Sequence, residues 1–193
     1  MSMIKSFCFN QTLASVLSFD KTYNLGSIFV TTSVFTNKAL LRRSTDDEPI
    51  FIGPIFLHGE SDFESFAHFM GHLSTKFVDC ESQYLRIGSD DELALRKAIL
   101  HAFPKSQRLL CTRHMKDNVI RYLQDKVGCE SKTRNAIASE IFGTDGLTAA
   151  VDISDFDERA ALLVGHLEAK TTDEFQTYVR NKFSCVRIYI QVI

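Results

Sequence analysis

Two aspartates carry the clearest potential for chemistry in this sequence. Asp20 closes the apolar run Leu13-Ala14-Ser15-Val16-Leu17-Ser18-Phe19, and Asp90 follows the short apolar stretch from Leu85 to Ile87. In an α/β sheet, ligands bind in the groove outside the carboxyl ends of the strands, so an acid placed after such a strand is aimed into a cleft. Two carboxylates brought together there suit Mg²⁺ or Mn²⁺, hard ions that take oxygen ligands, and Mg²⁺ keeps several of its waters. Two such ions can activate an attacking water or hydroxyl and stabilise the leaving oxygen of a phosphodiester. Both acids also have local uses. Asp90 at a helix start stabilises the helix N-terminus, an effect of about 1 kcal/mol, and Asp20 ahead of Thr22 and Asn24 suits a turn. Spacing alone leaves both readings open.

Other candidate groups carry less. Cys111-Thr112-Arg113-His114 offers two ligands where structural zinc takes four, and Cys80, His101 and Cys129 are the residues available to complete a site. A buried thiol ending a strand, with a histidine near the site's edge, is the simpler reading, so zinc is not expected. His68 and His72 have the i, i+4 spacing of a helical metal grip. They lie opposite the Phe66, Met70, Leu73 seam and lack the Glu of a His-Glu-x-x-His motif, so they are read as exposed. Arg42-Arg43 and the span from Lys105 to Arg113 can touch phosphates or serve as solvated surface.

The elements that must position the two acids are legible from periodicity. The run ending at Asp20 reads as a strand, followed by a turn through Asn24 and Gly26. Residues 27–35 form a second strand with Ile28, Val30 and Val34 on one face. The polar stretch 37–48 connects to a third strand, which Pro54 marks as an edge or as interrupted by a bulge. Ser61-x-x-Glu64 is a capping box opening a helix with Phe63, Phe66, Met70, Leu73 and Phe77 along its seam. The Leu85–Ile87 strand leads to Ser89-x-x-Glu92, a second such pattern, and to a helix burying Leu95, Ala98, Ile99, Ala102 and Phe103, stopped by Pro104. A strand at 108–111 precedes a helix with Met115, Val119, Tyr122, Leu123 and Val127, capped at Gly128. From Glu130 onward three helical segments follow without a convincing strand, expected to pack as an appendage at the sheet's edge. The stretch 185–193 alternates like a strand. This order predicts an α/β fold: a ribonuclease-H-like mixed sheet with helices over residues 13–129, then a helical region over 130–193.

Composition bounds the class. With 193 residues, 45% hydrophobic and 24% charged, the chain can bury a proper core, and a formal net charge of −2 argues against a generally basic nucleic-acid-coating protein. Any DNA contact is then local. Five scattered cysteines suit a reducing compartment, and no apolar run approaches the roughly 20 residues of a membrane span. Together with the lack of a signal-peptide-like start, this predicts a soluble intracellular protein.

Several ordered motifs resemble one family. Phe19-Asp20-Lys21-Thr22-Tyr23-Asn24, the strand Phe29-Val30-Thr31, Ile52-Gly53-Pro54 with His58, Gly88-Ser89-Asp90-Asp91-Glu92-Leu93-Ala94-Leu95, and Leu110-Cys111-Thr112-Arg113-His114 are together similar to the transposase domain of Mutator-like DNA transposons. The likeness spans roughly residues 13 to 183. It implies a ribonuclease-H-like DDE core with Asp20 and Asp90 as the first two catalytic, metal-binding aspartates. It also implies Mg²⁺ or Mn²⁺ as cofactor, transposon-end and target DNA as partner, a nuclear location and a helical insertion after Glu130. Cys111 and His114 match a family motif. Two departures stand out: Asp91 occupies the usual glycine position, and the family's third acid has no counterpart here. Glu140, Glu158, Glu168 and Glu174 read as solvent-facing residues of the insertion. The resemblance therefore implies the catalytic-domain portion of such a transposase, inactive alone. The alternative is a transposon-derived module that binds DNA or protein without catalysis; a homo-oligomer is open in either case.

Overall fold

The computed structural model describes residues 2–8, 15–77, 84–168 and 171–190. The chain forms two compact units, Met1–Cys111 and Thr112–Ile193. The first contains α1 (Ser2–Cys8), β1 (Val16–Leu25), β2 (Ile28–Thr36), β3 (Ile50–His58), α2 (Phe63–Lys76), β4 (Arg86–Ser89), α3 (Leu93–Ala102) and β5 (Gln107–Leu110). The five strands form one mixed sheet in the order β3-β2-β1-β4-β5. β1–β2 and β2–β3 are antiparallel, whereas β1–β4 and β4–β5 are parallel. This is a ribonuclease-H-like topology. The carboxyl ends of β1, β3, β4 and β5 consequently fall at one end of the sheet.

Strand alternation sends Leu17, Phe19, Phe35 and Ile87 to one face, where they are buried with Phe66, Met70 and Leu73 of α2 and Leu95, Ala98 and Ile99 of α3. Aromatic packing locks α2 to the sheet: Phe69 meets Phe19 edge-on at 6.1 Å and stacks on Phe56 at 4.7 Å. In β2 the buried positions are Thr31, Ser33 and Phe35, while the Ile28, Val30, Val34 side is exposed or half-buried. Both buried hydroxyls are hydrogen-bonded. Thr31 Oγ1 lies 2.9 Å from His58 Nε2, and Ser33 Oγ donates to the Pro54 carbonyl at 2.7 Å. The second bond sits where Thr32 pairs with Ile55 and Val34 with Ile52, so β3 is both an edge strand and bulged at Gly53-Pro54.

Several sequence expectations need correction. β1 does not stop at Asp20 but runs on to Leu25, because residues 20–22 keep pairing with β2; the reversal is Gly26-Ser27, with Gly26 at φ +68°. Neither expected capping box forms. Asp62, not Ser61, caps α2 by accepting from Ser65 N–H at 2.9 Å, and the Ser61 hydroxyl is drawn into a charge pair. Ser89 is still in β4, its hydroxyl donating to the Asp90 carbonyl, and Glu92 is the N-cap residue of α3. Phe63 is substantially exposed and lies off the α2 seam.

The second unit contains α4 (Thr112–Asp125), α5 (Ser131–Phe142), a 3₁₀ turn at Leu147–Ala149, α6 (Ile153–Glu168) and α7 (Asp173–Ile190). α4 thus groups with the helices that follow it. Met115, Val119, Leu123, Ile137, Ile141, Phe156, Leu163, Phe175 and Val179 are buried, and Tyr122 stacks on Tyr178 at 4.5 Å. Gly128, at φ +73°, follows α4 as expected. The strand expected from residue 185 is instead the continuation of α7 to Ile190, while residues 191–193 lie outside the described residues. Extending a helix already nucleated adds one hydrogen bond per residue fixed, which outweighs the small helix penalty of Val and Ile.

Cys8 is fully buried, and burial pushes its thiol up to about 12 from an ordinary value of 9.0. A folded value above the unfolded one means that stability is intact below pH 9 and declines as pH rises towards 12. Replacing Cys8 by Ala is expected to flatten that alkaline decline in a melting-temperature series. In the native protein, Cys8 should resist iodoacetamide while the half-buried Cys111 and Cys129 are labelled.

Candidate functional site

The parallel pairs Val16–Arg86, Leu17–Ile87 and Ser18–Gly88 fix the offset between β1 and β4. The pairing ends at Ser18–Gly88; Asp20 lies two residues further along β1, and Asp90 lies two residues beyond Gly88, just past the end of β4. Gly88 permits the close approach just beneath them, since a Cβ there would lie 2.9 Å from Ser18 Oγ and 3.2 Å from Val16 Cγ1. Asp20 is exposed and Asp90 half-buried. Asp90 Oδ1 also accepts from Glu92 N–H at 3.3 Å, the local helix-start role open to it on sequence.

The neighbouring acids are engaged in ion pairs. Asp91 Oδ1 lies 3.3 Å from Arg96 Nη1 across the first turn of α3. Glu92 Oε1 accepts from Lys21 Nζ at 2.5 Å and from Ser61 Oγ at 2.7 Å; Lys21 Nζ also donates to Ser61 Oγ at 2.5 Å. The Lys21 side chain is only 4% exposed, and its ammonium sits 5.5 Å from the Phe29 ring centroid and 6.0 Å from that of Phe66. Glu92 Oε2 is buried with no hydrogen-bond partner among the described residues. Sequence reasoning passed over Lys21 and read Ser61 only as a cap. The signal was present in strand phase: Leu17, Phe19 and Lys21 alternate onto the same face, and a cation on a buried face requires a partner.

His58 closes this end of β3. Its Nδ1 lies 2.6 Å from the Glu60 carbonyl, so Nδ1 carries the proton and Nε2 accepts from Thr31 Oγ1 in the neutral ring. Stacking on Phe56 at 4.5 Å completes its burial. The nearby Asp62 carboxyl is held below its ordinary value chiefly by its hydrogen bonds from Ser65. Cys111 continues the β4–β5 ladder, donating N–H to the Ser89 carbonyl at 2.8 Å, and His114 lies in the first turn of α4. His68, His72 and His101 are exposed, and Cys80 lies outside the described residues. Among the described residues, no group of three or more His, Cys, Asp or Glu side chains is arranged to hold a metal ion. A groove of about 450 Å³ bordered by Val127–Glu130, Thr133, Thr171 and Thr172 contains Cys129 but neither aspartate. Arg42, Arg43, Lys105 and Arg113 are exposed.

No protein-family model and no curated protein matches the chain. What is defined is therefore the fold: an α/β domain of ribonuclease-H-like topology joined to a helical unit. No helix among the described residues is long and apolar enough to cross a membrane.

Proposed function

We propose that this chain is a catalytic-domain portion of a Mutator-like transposase, a nuclear, DNA-directed phosphoryl-transfer fold whose first two metal-binding acids are Asp20 and Asp90. One observation supports the reading: continued two residues beyond its last pair, Ser18–Gly88, the parallel β1–β4 register would bring these two residues level, in a sheet with ribonuclease-H-like strand order. Two hard oxygen donors side by side fit one Mg²⁺ or Mn²⁺ that keeps waters in its remaining positions. Such an ion, when bound, acts as a Lewis acid toward a phosphoryl oxygen. Asp20 and Asp90 would hold it, while Arg42 and Arg43 are exposed cations available to phosphates.

The donor set fits one ion better than two. Asp91 and Glu92, the nearest spare acids, are paired with Arg96 and Lys21. That engagement also favours the second reading, a transposon-derived module that binds DNA or protein without cutting DNA. The chain alone is accordingly expected to be a poor nuclease. Mn²⁺-dependent nicking of supercoiled DNA by the purified chain, with Asp20→Asn and Asp90→Asn controls, tests this. The expected result is no nicking above the level of the two variants. Robust nicking abolished by either substitution would show that two matched acids suffice and would overturn the non-cutting reading.

A further inference from the structure

We infer that Lys21, Ser61 and Glu92 form a positioning clamp that holds Asp20 and Asp90 level beyond the end of the β1–β4 ladder. The inference rests on the reading of those two acids as one site, and it names residues not assigned to that site by sequence. The ladder between the two strands ends at Ser18–Gly88, two residues short of the acids. Past that point, Lys21, next to Asp20, grips Glu92, two residues after Asp90, and so links the two segments. Ser61, just ahead of α2, bonds both charged groups and ties in a third segment.

The chemistry suits a clamp better than a reacting group. Lys21 Nζ is engaged by the Glu92 carboxylate at 2.5 Å and Ser61 Oγ donates to the same carboxylate, so neither is poised to act as base or nucleophile. The pair lies on the helix-covered face, whereas Asp20 points to the opposite one by strand alternation. Lys21 and Glu92 can therefore set the spacing of the acids without occupying their site. The Asp90 carboxylate is joined to the clamp through Glu92 N–H, so a shift of Glu92 is passed to Asp90 directly.

The test places cysteines at the two acids of the full chain, Asp20→Cys with Asp90→Cys, and follows formation of the 20–90 disulfide by peptide mass spectrometry. If the clamp holds the two positions level past the end of the ladder, their Cα atoms have the separation that a disulfide requires, whereas a separation above about 7 Å prevents bridging. Adding Lys21→Met, or separately Glu92→Gln, is expected to slow bridging at least about tenfold, because an intramolecular reaction loses much of its rate advantage when the reacting groups are misplaced by about 1 Å. Leu95→Ala is the control, because it loosens the same core without touching the clamp. A merely structural role for Lys21 predicts equal slowing by Leu95→Ala, which would overturn the inference. So would unchanged bridging in both clamp variants, each shown to be folded by circular dichroism. Mn²⁺ calorimetry on the parent chain separates the underlying reading. Bridging that depends on the clamp, in a chain that binds no Mn²⁺, supports the clamp and rejects the metal site. Mn²⁺ binding with bridging indifferent to the clamp does the reverse.

Discussion

Replacing Lys21 with methionine is expected to lower the stability of the folded chain by about 3 kcal/mol, the lower end of the range for leaving one member of a buried ion pair alone. The lower end applies because the Glu92 side chain keeps 20% exposure, through which water can reach it. Methionine preserves the packing against Phe29 and Phe66, so the loss isolates the charge. Glu92 would then keep only the Ser61 hydroxyl on Oε1, with Oε2 already lacking a hydrogen-bond partner among the described residues. Urea denaturation of the two proteins gives the difference directly. The double variant Lys21→Met/Glu92→Leu should recover most of the loss, since an apolar pair avoids the desolvation of both charges. A single variant within about 0.5 kcal/mol of the parent, the range of surface substitutions, would show that the pair is solvated in solution.

The second large effect concerns metal binding. Asp20→Asn and Asp90→Asn are each expected to weaken Mn²⁺ binding by well over about tenfold, since loss even of groups that only support a ligand costs 10–100-fold. Asparagine is the informative replacement at position 90. Its side-chain oxygen can still accept from Glu92 N–H, so the turn into α3 survives while the anionic ligand is lost. If Asp90 served only that turn, the variant would bind Mn²⁺ as the parent does, and isothermal calorimetry would register no change.

Much of this arrangement was legible in the sequence because it follows from alternation and helical period. The inward sets Phe66, Met70 and Leu73, and Leu95, Ala98 and Ile99, each belong to one segment, and each is buried in the structure. Pro54 announced an irregular edge because it cannot donate to a ladder, and β3 has both features. What escaped was set between segments. The extension of β1 past Asp20 depends on β2, whose pairing a single strand does not display. Ser61 scored as a cap on local spacing, yet its hydroxyl is captured by Lys21 and Glu92, 40 residues before it and 31 after. The alternation read at 185–190 met a helix already running from Asp173, and local pattern gave way to propagation. The β1–β4 offset, on which the proposed meeting of Asp20 and Asp90 rests, is likewise a product of tertiary pairing; sequence supplied the two acids but not the offset.

The most direct measurement is anomalous diffraction from crystals of the chain soaked in Mn²⁺. The account predicts one peak with carboxylate oxygens of both Asp20 and Asp90 at about 2.0–2.2 Å, the distance range of a small divalent ion bound to oxygen. A peak elsewhere, or crystals saturated with Mn²⁺ in which these two carboxylates bind none, would contradict it.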